Sequence, residues 1–395
     1  MTRDLRRERQ IAVLGAGMLG SSLAILLARR GVRVTLFEAS ERPMNRAGRW
    51  NEGKIHLGYL YAADRSLNTA RKLIPGGVAF QPIVENMIDR SIEPHLTRGD
   101  EIFLTHAKSV VDPDSMFRHL NAVWELVSDV RGDKNRPTSL TRDELAEVSE
   151  NRDIVAGFRV PERSVNTNWL ADRIVDRVVS DRHIELRCNC SVTSLSKGRT
   201  HWRVITDCGA FDGFDAVVNA LWEGKSVIDE EVGRSSNQLL SYRYRVAAFM
   251  KVPNVSIKNV IIATGPFGDI KNYDGHHIYL SWYPVGLLLD CRQKHAPASP
   301  KLDRAMEREI CGRMVDKLSD YFPAVINLPT VAEQLVVRGG WIVARGEGLL
   351  SDPVSTLHRR DEFGILCYDN YYSVETGKYS VAPWLASQIA NELVG

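Results

Sequence analysis

The chain has 395 residues, 44% of them hydrophobic and 25% charged, and 51 basic against 49 acidic residues leave a formal net charge of +2. That length points to two domains rather than one core. The balanced charge argues against a general affinity for nucleic acid or anionic lipid.

No run approaches the ~18 uninterrupted apolar residues of a membrane span. The basic start MTRDLRRERQ leads into only four apolar residues before glycines intervene, so it does not read as a secretory signal, and a cytoplasmic location is expected. Six cysteines (188, 190, 208, 291, 311, 367) show no C-x-x-C pair and no His/Cys ligand spacing. Free thiols and no bound metal are the expectation. Cys188 and Cys190 alternate along a predicted strand and would share one face.

Ile11 to Leu14 is a short apolar run that reads as a buried parallel strand. Gly15, Gly17 and Gly20 follow in the spacing G-x-G-x-x-G, and the Leu- and Ala-rich stretch Met18 to Arg30 predicts a crossover helix ended by Gly31. Val32 to Phe37 reads as the next strand, closed by Glu38 about 20 residues beyond the first glycine. This strand–turn–helix–strand–acid order predicts a dinucleotide whose pyrophosphate sits on the helix N-terminus, over Gly15, Gly17, Met18, Leu19 and Gly20. Glu38, with Ala39 beside it, would receive the ribose hydroxyls. The motif alone does not choose between NAD and FAD.

A polar turn carrying Arg46 leads into GRWNEGKIHLGYLYAADRS, Gly48 to Ser66, where three glycines are interleaved with Trp50, Lys54, His56, Tyr59 and Tyr61. A loop with that much backbone freedom and those side chains is expected against a ligand. Its core, Asn51-Glu52-Gly53-Lys54-Ile55-His56-Leu57-Gly58, resembles the N-S-G-x-I-H-x-G segment of the D-amino-acid-oxidase superfamily of flavoproteins, particularly its L-2-hydroxyglutarate oxidase and glycine oxidase-like group. In that superfamily the segment runs beside the FAD pyrophosphate and isoalloxazine ring. The resemblance implies cofactor contacts from Arg46, Asn51, Gly53, Lys54 and Ile55.

Ser66 to Ile74 predicts a helix stopped by Pro75-Gly76-Gly77, and Ser115 to about Ser128 a second, amphipathic one. Arg131 to Thr141, with Lys134, reads as an exposed connection. A helix from Thr167 to about Val179, capped by Asn166 or Thr167, precedes a strand at 184–188, another at 191–195, and a hairpin turning at Asp207-Cys208-Gly209. Then comes Asp215-Ala216-Val217-Val218-Asn219-Ala220. This order resembles the second FAD-contacting region of the same superfamily, implying contacts from Val192, Asn219 and Ala220. Trp222 stands where a small residue is usual there.

β-like segments at 242–250 and 260–264 and the aromatic run Tyr279 to Val285 precede a helix from Lys301 to about Tyr321. Tyr279, Trp282 and Tyr283 read either as sheet-face residues or as walls of a substrate pocket. Val337 to Gly346, then Thr376-Gly377-Lys378 and a helix from about Val381 to Leu393, resemble the superfamily's closing FAD segment, implying contacts from Gly377, Lys378 and Tyr379.

The resemblance implies an α/β fold: a Rossmann-like FAD-binding domain (1–78, 158–225, 336–395) and a discontinuous α+β substrate domain on a mainly antiparallel sheet (79–157, 226–335). It also implies FAD as cofactor and an oxidoreductase that oxidises a C–N or C–OH bond of a small carboxylate-bearing substrate by hydride transfer, with oxygen or another electron acceptor. The alternatives are a hydroxylase-type monooxygenase and a flavin-binding protein without catalysis. The expected flavin is non-covalent, a covalent link at His56 being the alternative.

His56, Lys378 and Arg338 are the candidate catalytic residues. His56 titrates near neutrality and suits a base. Lys378 would stabilise negative charge on reduced flavin. Arginine forks match a carboxylate, so Arg338 and Arg345 join Tyr59, Tyr61, Tyr279 and Trp282 as substrate candidates. Arg243 and Arg245 lie on a substrate-domain strand. No oligomeric state is read.

Overall fold

The computed structural model describes residues 9–132, 135–234 and 238–394. Lys134 and the basic start through Glu8 lie outside them. Two large sheets carry the fold.

The first sheet runs, in spatial order, Gly364–Tyr368, Tyr371–Glu375, Ala216–Asn219, Gln10–Leu14, Arg33–Phe37 and Ile184–Arg187. All pairings are parallel except that of the hairpin Gly364–Tyr368 with Tyr371–Glu375. The apolar run at its centre is buried on both faces because its side chains alternate. Ile11 and Val13 face the helices Met18–Ala28, Asn68–Ile88, Thr167–Ser180 and Ala382–Val394. Ala12 and Leu14 face a small three-stranded sheet, Val192–Lys197, Trp202–Thr206 and Gly209–Phe214.

The second, nine-stranded sheet is antiparallel apart from the pairing of Val260–Ala263 with Glu101–His106. Its longest strand, Leu240–Lys251, alternates in the same way. Val246, Ala248 and Met250 pack toward the helix Arg304–Ser319. Ala247 and Phe249 face the other way, with Trp50 and Tyr279. Arg243 and Arg245 share their parity, which turns two guanidinium groups toward the first sheet.

Three expectations need correction. The helix predicted to stop at Pro75 runs from Asn68 to Ile88 through Pro75 and Pro82. Pro75 is on the exposed side, and the glycines after it are contact points rather than a stop. A Cβ at Gly76 would lie 3.0 Å from the Val381 backbone, and one at Gly77 would lie 2.3 Å from the His56 carbonyl oxygen. Tertiary packing here outweighs local propensity.

The strand Gln334–Ala344, divided at 336 by the sequence reading, pairs along its whole length with Leu240–Lys251 in the nine-stranded sheet.

Cys190 is bonded to Cys208, leaving Cys188, Cys291, Cys311 and Cys367 as free thiols. Cys188 and Cys190 do not share a strand face. Asn189 between them takes φ +50°, ending one sheet before the next begins, and the neighbouring hairpin brings the Cys190 and Cys208 Cα atoms to 5.7 Å. Among the described residues, no helix is long and apolar enough to cross a membrane. The one described His/Cys/Asp/Glu group of metal-binding proximity, Cys190, Asp207 and Cys208, has both its sulfurs committed to that bond.

Candidate active site

A cavity of about 420 Å³ lies between the two sheets. Its outer end is built by the glycine turn. The strand Gln10–Leu14 delivers Gly15 in the left-handed region (φ +92°), where a Cβ would stand 2.9 Å from the Ala220 carbonyl oxygen. Gly17 caps the helix Met18–Ala28 without any side-chain cap, leaving that end's N–H groups for a ligand. A Cβ at Gly17 would meet nothing within 4 Å, so the approach is open. Glu38 braces the turn: its Oε2 accepts the Ala16 N–H at 2.9 Å and its Oε1 accepts the Ser40 N–H at 2.8 Å.

Gly15, Gly17, Met18, Leu19, Glu38, Ala39, Arg46, Asn51, Lys54, Ala220, Gly377, Lys378 and Tyr379 line the cavity. The other residues chosen for the cofactor stand behind that wall. Gly20 packs on the Gly15 carbonyl, and Gly53 packs on the Val165 carbonyl. Ile55 and Val192 pack against the cores on either side of the first sheet. Asn219 is fully buried, donating through Nδ2 to the Tyr371 hydroxyl at 2.8 Å and to Asp229 at 3.1 Å. Trp222 does line the cavity and takes φ +54°, the region that favours the small residue it replaces, while its Nε1 donates to the Trp341 carbonyl at 2.8 Å.

The inner end is strongly polar. His56 is buried on the cavity wall with Nδ1 unpartnered. Burial, then the charges of Lys378 and Lys54, hold its imidazole well below the usual histidine pKa, so it is neutral. The Lys378 ammonium lies 5.4 Å from the centre of the Tyr61 ring. Burial, then Arg360, pushes it down to about 7, against the opposing pull of Glu52. Arg243 is 2% exposed; its Nη1 donates to the Tyr283 hydroxyl at 2.8 Å, whereas Nε and Nη2 have no hydrogen-bond partner. Arg245 contacts Ser281 and lies over the Tyr283 ring, its carbon 4.8 Å from the centroid. Asp269, Glu52 and Arg360 complete this end.

Of the residues chosen for substrate, Tyr61 and Tyr279 line the cavity. Tyr59 is enclosed in the core with Leu57 and Phe103, and Trp282 packs with Phe267 and Tyr321 away from the cavity wall. Arg338 stands opposite Ala247 in the paired strand, but its guanidinium is absent from the cavity wall and donates to Glu307 at 2.5 Å. Arg345 pairs with Glu375 at 2.9 Å and borders a separate hollow of about 150 Å³. These four are therefore not brought together with His56 and Lys378. Sequence reasoning missed Arg360, Glu52 and Asp269. The adjacent Arg359 and Arg360 were a visible signal; Asp269 had only its place on a β-like run.

A glycine turn at a helix N-terminus, an acid closing the next strand and a long cavity reaching a second sheet define a dinucleotide-cofactor oxidoreductase. The sequence matches the family DAO, FAD dependent oxidoreductase, over residues 10–363, and the chain belongs to that family. FAD is its cofactor, and the open Gly17 backbone and uncapped helix end fit that group. The structure is similar to glycine oxidase from Geobacillus kaustophilus, with 15% identity, a TM-score of 0.70, and 97% of this chain and 94% of that chain covered. It is also similar to L-proline dehydrogenase from P. horikoshii, at 14% identity and a TM-score of 0.65, covering 98% and 93%. A third is iminodiacetate oxidase from Chelativorans sp. BNC1, at 14% identity and a TM-score of 0.64, covering 98% and 95%. No curated protein matches the sequence.

Proposed function

We propose that this FAD-dependent enzyme oxidises a C–N or C–OH bond of a small substrate bearing a carboxylate, and passes the electrons to oxygen or another acceptor. The observation that carries the reading is Arg243: a guanidinium 2% exposed, on the cavity wall, with Nε and Nη2 unpartnered. Leaving such donors unsatisfied costs about 1–3 kcal/mol or more, and a carboxylate fork satisfies both. The similar solved structures named for oxidases and dehydrogenases of amino and imino acids are consistent with it.

FAD, when bound, would supply the acceptor for a hydride from the substrate carbon. The chain supplies the rest. Tyr283 fixes the Arg243 fork, and Tyr61 and Tyr279 wall the substrate. Ile261 to Ala263 and Phe267 give an apolar rim that excludes water. Neutral His56 offers its unpartnered Nδ1 to a substrate hydroxyl or amine. Among the cavity-lining residues, Glu38 would hold the cofactor's ribose and Gly377 and Lys378 its flavin.

Anaerobic mixing of the yellow holoenzyme with amines, amino acids and 2-hydroxy acids tests the reading. Bleaching of the visible flavin band by members of one class is expected. Failure of every class would overturn it. Acid precipitation should release all the flavin; retention, lost in His56→Ala, would establish a covalent link instead.

A further inference from the structure

Behind the cavity's inner end lies a chain of buried, alternating acidic and basic side chains, in which burial and then Lys54 push the Lys271 ammonium well below the usual lysine range. Glu162 accepts the Leu57 N–H at 2.7 Å through Oε1, and its Oε2 lies 3.4 Å from the Lys54 ammonium. Lys54 pairs with Glu101, and Glu101 pairs in turn with Lys271. The Lys271 ammonium is 3.6 Å from Asp269 Oδ2, and Asp269 Oδ1 is 3.6 Å from Arg245 Nη2. Lys54 and Lys271 are 1% and 0% exposed, Glu101 and Glu162 2% and 1%. Two buried lysines so close to one another are costly unless their charges are balanced.

The chain reaches the cavity wall at Asp269 and Arg245. Asp269 is 4% exposed and lies on the cavity wall, its Oδ2 turned to Lys271 and its Oδ1 on the side of Arg245, which also lines the cavity. Asp269 is nevertheless the one acid of this ion chain that borders the cavity, backed by Lys271 on its own strand.

We infer that Asp269 is the proton acceptor of the reaction. The inference rests on the proposed oxidoreduction and goes one step further. The substrate O–H or N–H bond breaks and its proton passes to an Asp269 carboxylate oxygen. The freed electron pair forms the C=O or C=N bond, and the C–H hydrogen leaves with its own pair as a hydride, for which FAD, when bound, would be the acceptor. The carboxylate becomes a carboxylic acid, so charge and atoms balance. Lys271, Glu101, Lys54 and Glu162 are positioning residues that hold Asp269 and its local potential.

The groups facing Asp269 come from four elements. Arg245 is on the long strand, Lys271 on its own strand, Tyr279 and Ser281 on the next, and Glu52 and Lys54 on the cofactor loop. Burial, then Glu52, pushes its carboxyl up to about 7, against Arg245 and Lys54. That value lets the group accept a proton and release it near neutral pH. His56, held neutral well below its usual range, is the weaker base.

The test uses the holoenzyme, mixed anaerobically with whichever compound bleaches the flavin. The rate of flavin reduction at saturating substrate should rise with pH along a limb centred near 7. Asp269→Asn, checked for full FAD content, should lower that rate by about 10²–10⁴-fold and abolish the limb, and Asp269→Glu should restore part of both. A limb unchanged in Asp269→Asn, with a rate within a few-fold of the parent, would overturn the inference while leaving the oxidoreductase reading intact. Reduction by no compound at all would sink both.

An independent check needs no turnover and no variant that folds poorly. Infrared difference spectra of the parent holoenzyme between pH 6 and 8 should show a buried carboxylic acid losing its proton. No such band overturns the inference.

Discussion

Arg243 and Tyr283 meet at the inner end of the cavity, the guanidinium Nη1 donating to the phenol oxygen at 2.8 Å. That contact uses one edge of the guanidinium fork and leaves Nε and Nη2 for a ligand. Tyr283→Phe should therefore loosen the arginine without removing its charge, raising KM for a carboxylate substrate by roughly tenfold, the value of about 1.4 kcal/mol for one charge-assisted bond. Arg243→Lys, which keeps charge but loses the fork, should cost more, about 30-fold or above in kcat/KM. Steady-state kinetics on both variants, with flavin content as a control, checks the order.

Lys378 sets a pH dependence of opposite sign to that of Asp269. Its ammonium, pushed down to about 7 by burial and Arg360, is charged below that pH and neutral above it. A carboxylate ligand is ionised throughout this range, so attraction is lost as pH rises. The dissociation constant of an unreactive carboxylate should climb between pH 6 and 8, by at most about tenfold per unit. Lys378→Met should flatten the curve. Perturbation of the flavin spectrum by the ligand measures both.

Gly17 and Gly20 fail for different reasons when given a side chain. A Cβ at Gly20 would come within 1.9 Å of the Gly15 carbonyl oxygen, so Gly20→Ala must separate helix from turn and should lower both FAD content and Tm. A Cβ at Gly17 would touch nothing in the protein within 4 Å. Gly17→Ala should keep the Tm of the apoprotein and still lose FAD, because the methyl occupies the approach to the pyrophosphate. Flavin content and apoprotein melting separate the two.

The Cys190–Cys208 bond predicts four titratable thiols, not six, in chain denatured without reductant. Reductant added before denaturation should restore all six. A count of six without reductant would mean that the pair exists only as neighbouring thiols.

The nucleotide end of the site was legible because its requirements are local. A turn, a helix start and a strand-closing acid are specified within one βαβ unit, and Gly15 and Glu38 stand where the spacing puts them. The loop carrying Lys54 and His56 was legible from its glycine and aromatic pattern. The inner end was not, because it is assembled from residues far apart in the chain, and distant partners as well as strand parity decide which of them face in. Arg243 and Arg338 sit on adjacent, paired strands, yet one turns to the cavity and the other to Glu307. Both start from the same sheet face, and the acid that Arg338 reaches, Glu307, is 31 residues away on another element. The helix through Pro75 was hidden for a related reason: Gly76 and Gly77 answer to Val381 and His56, contacts that no local window contains.

The pairing of Lys54 with Glu101 joins a loop of the cofactor side to a strand of the second sheet, with both side chains out of water. Separating the two halves would strand a charge on each face, a penalty of several kcal/mol that the rest of the interface would have to absorb. Neither half can come apart alone at small cost, so denaturation should follow a single two-state transition. FAD should then raise the melting temperature of the whole chain by mass action. Calorimetry with and without added FAD would show one peak that moves, rather than one of two.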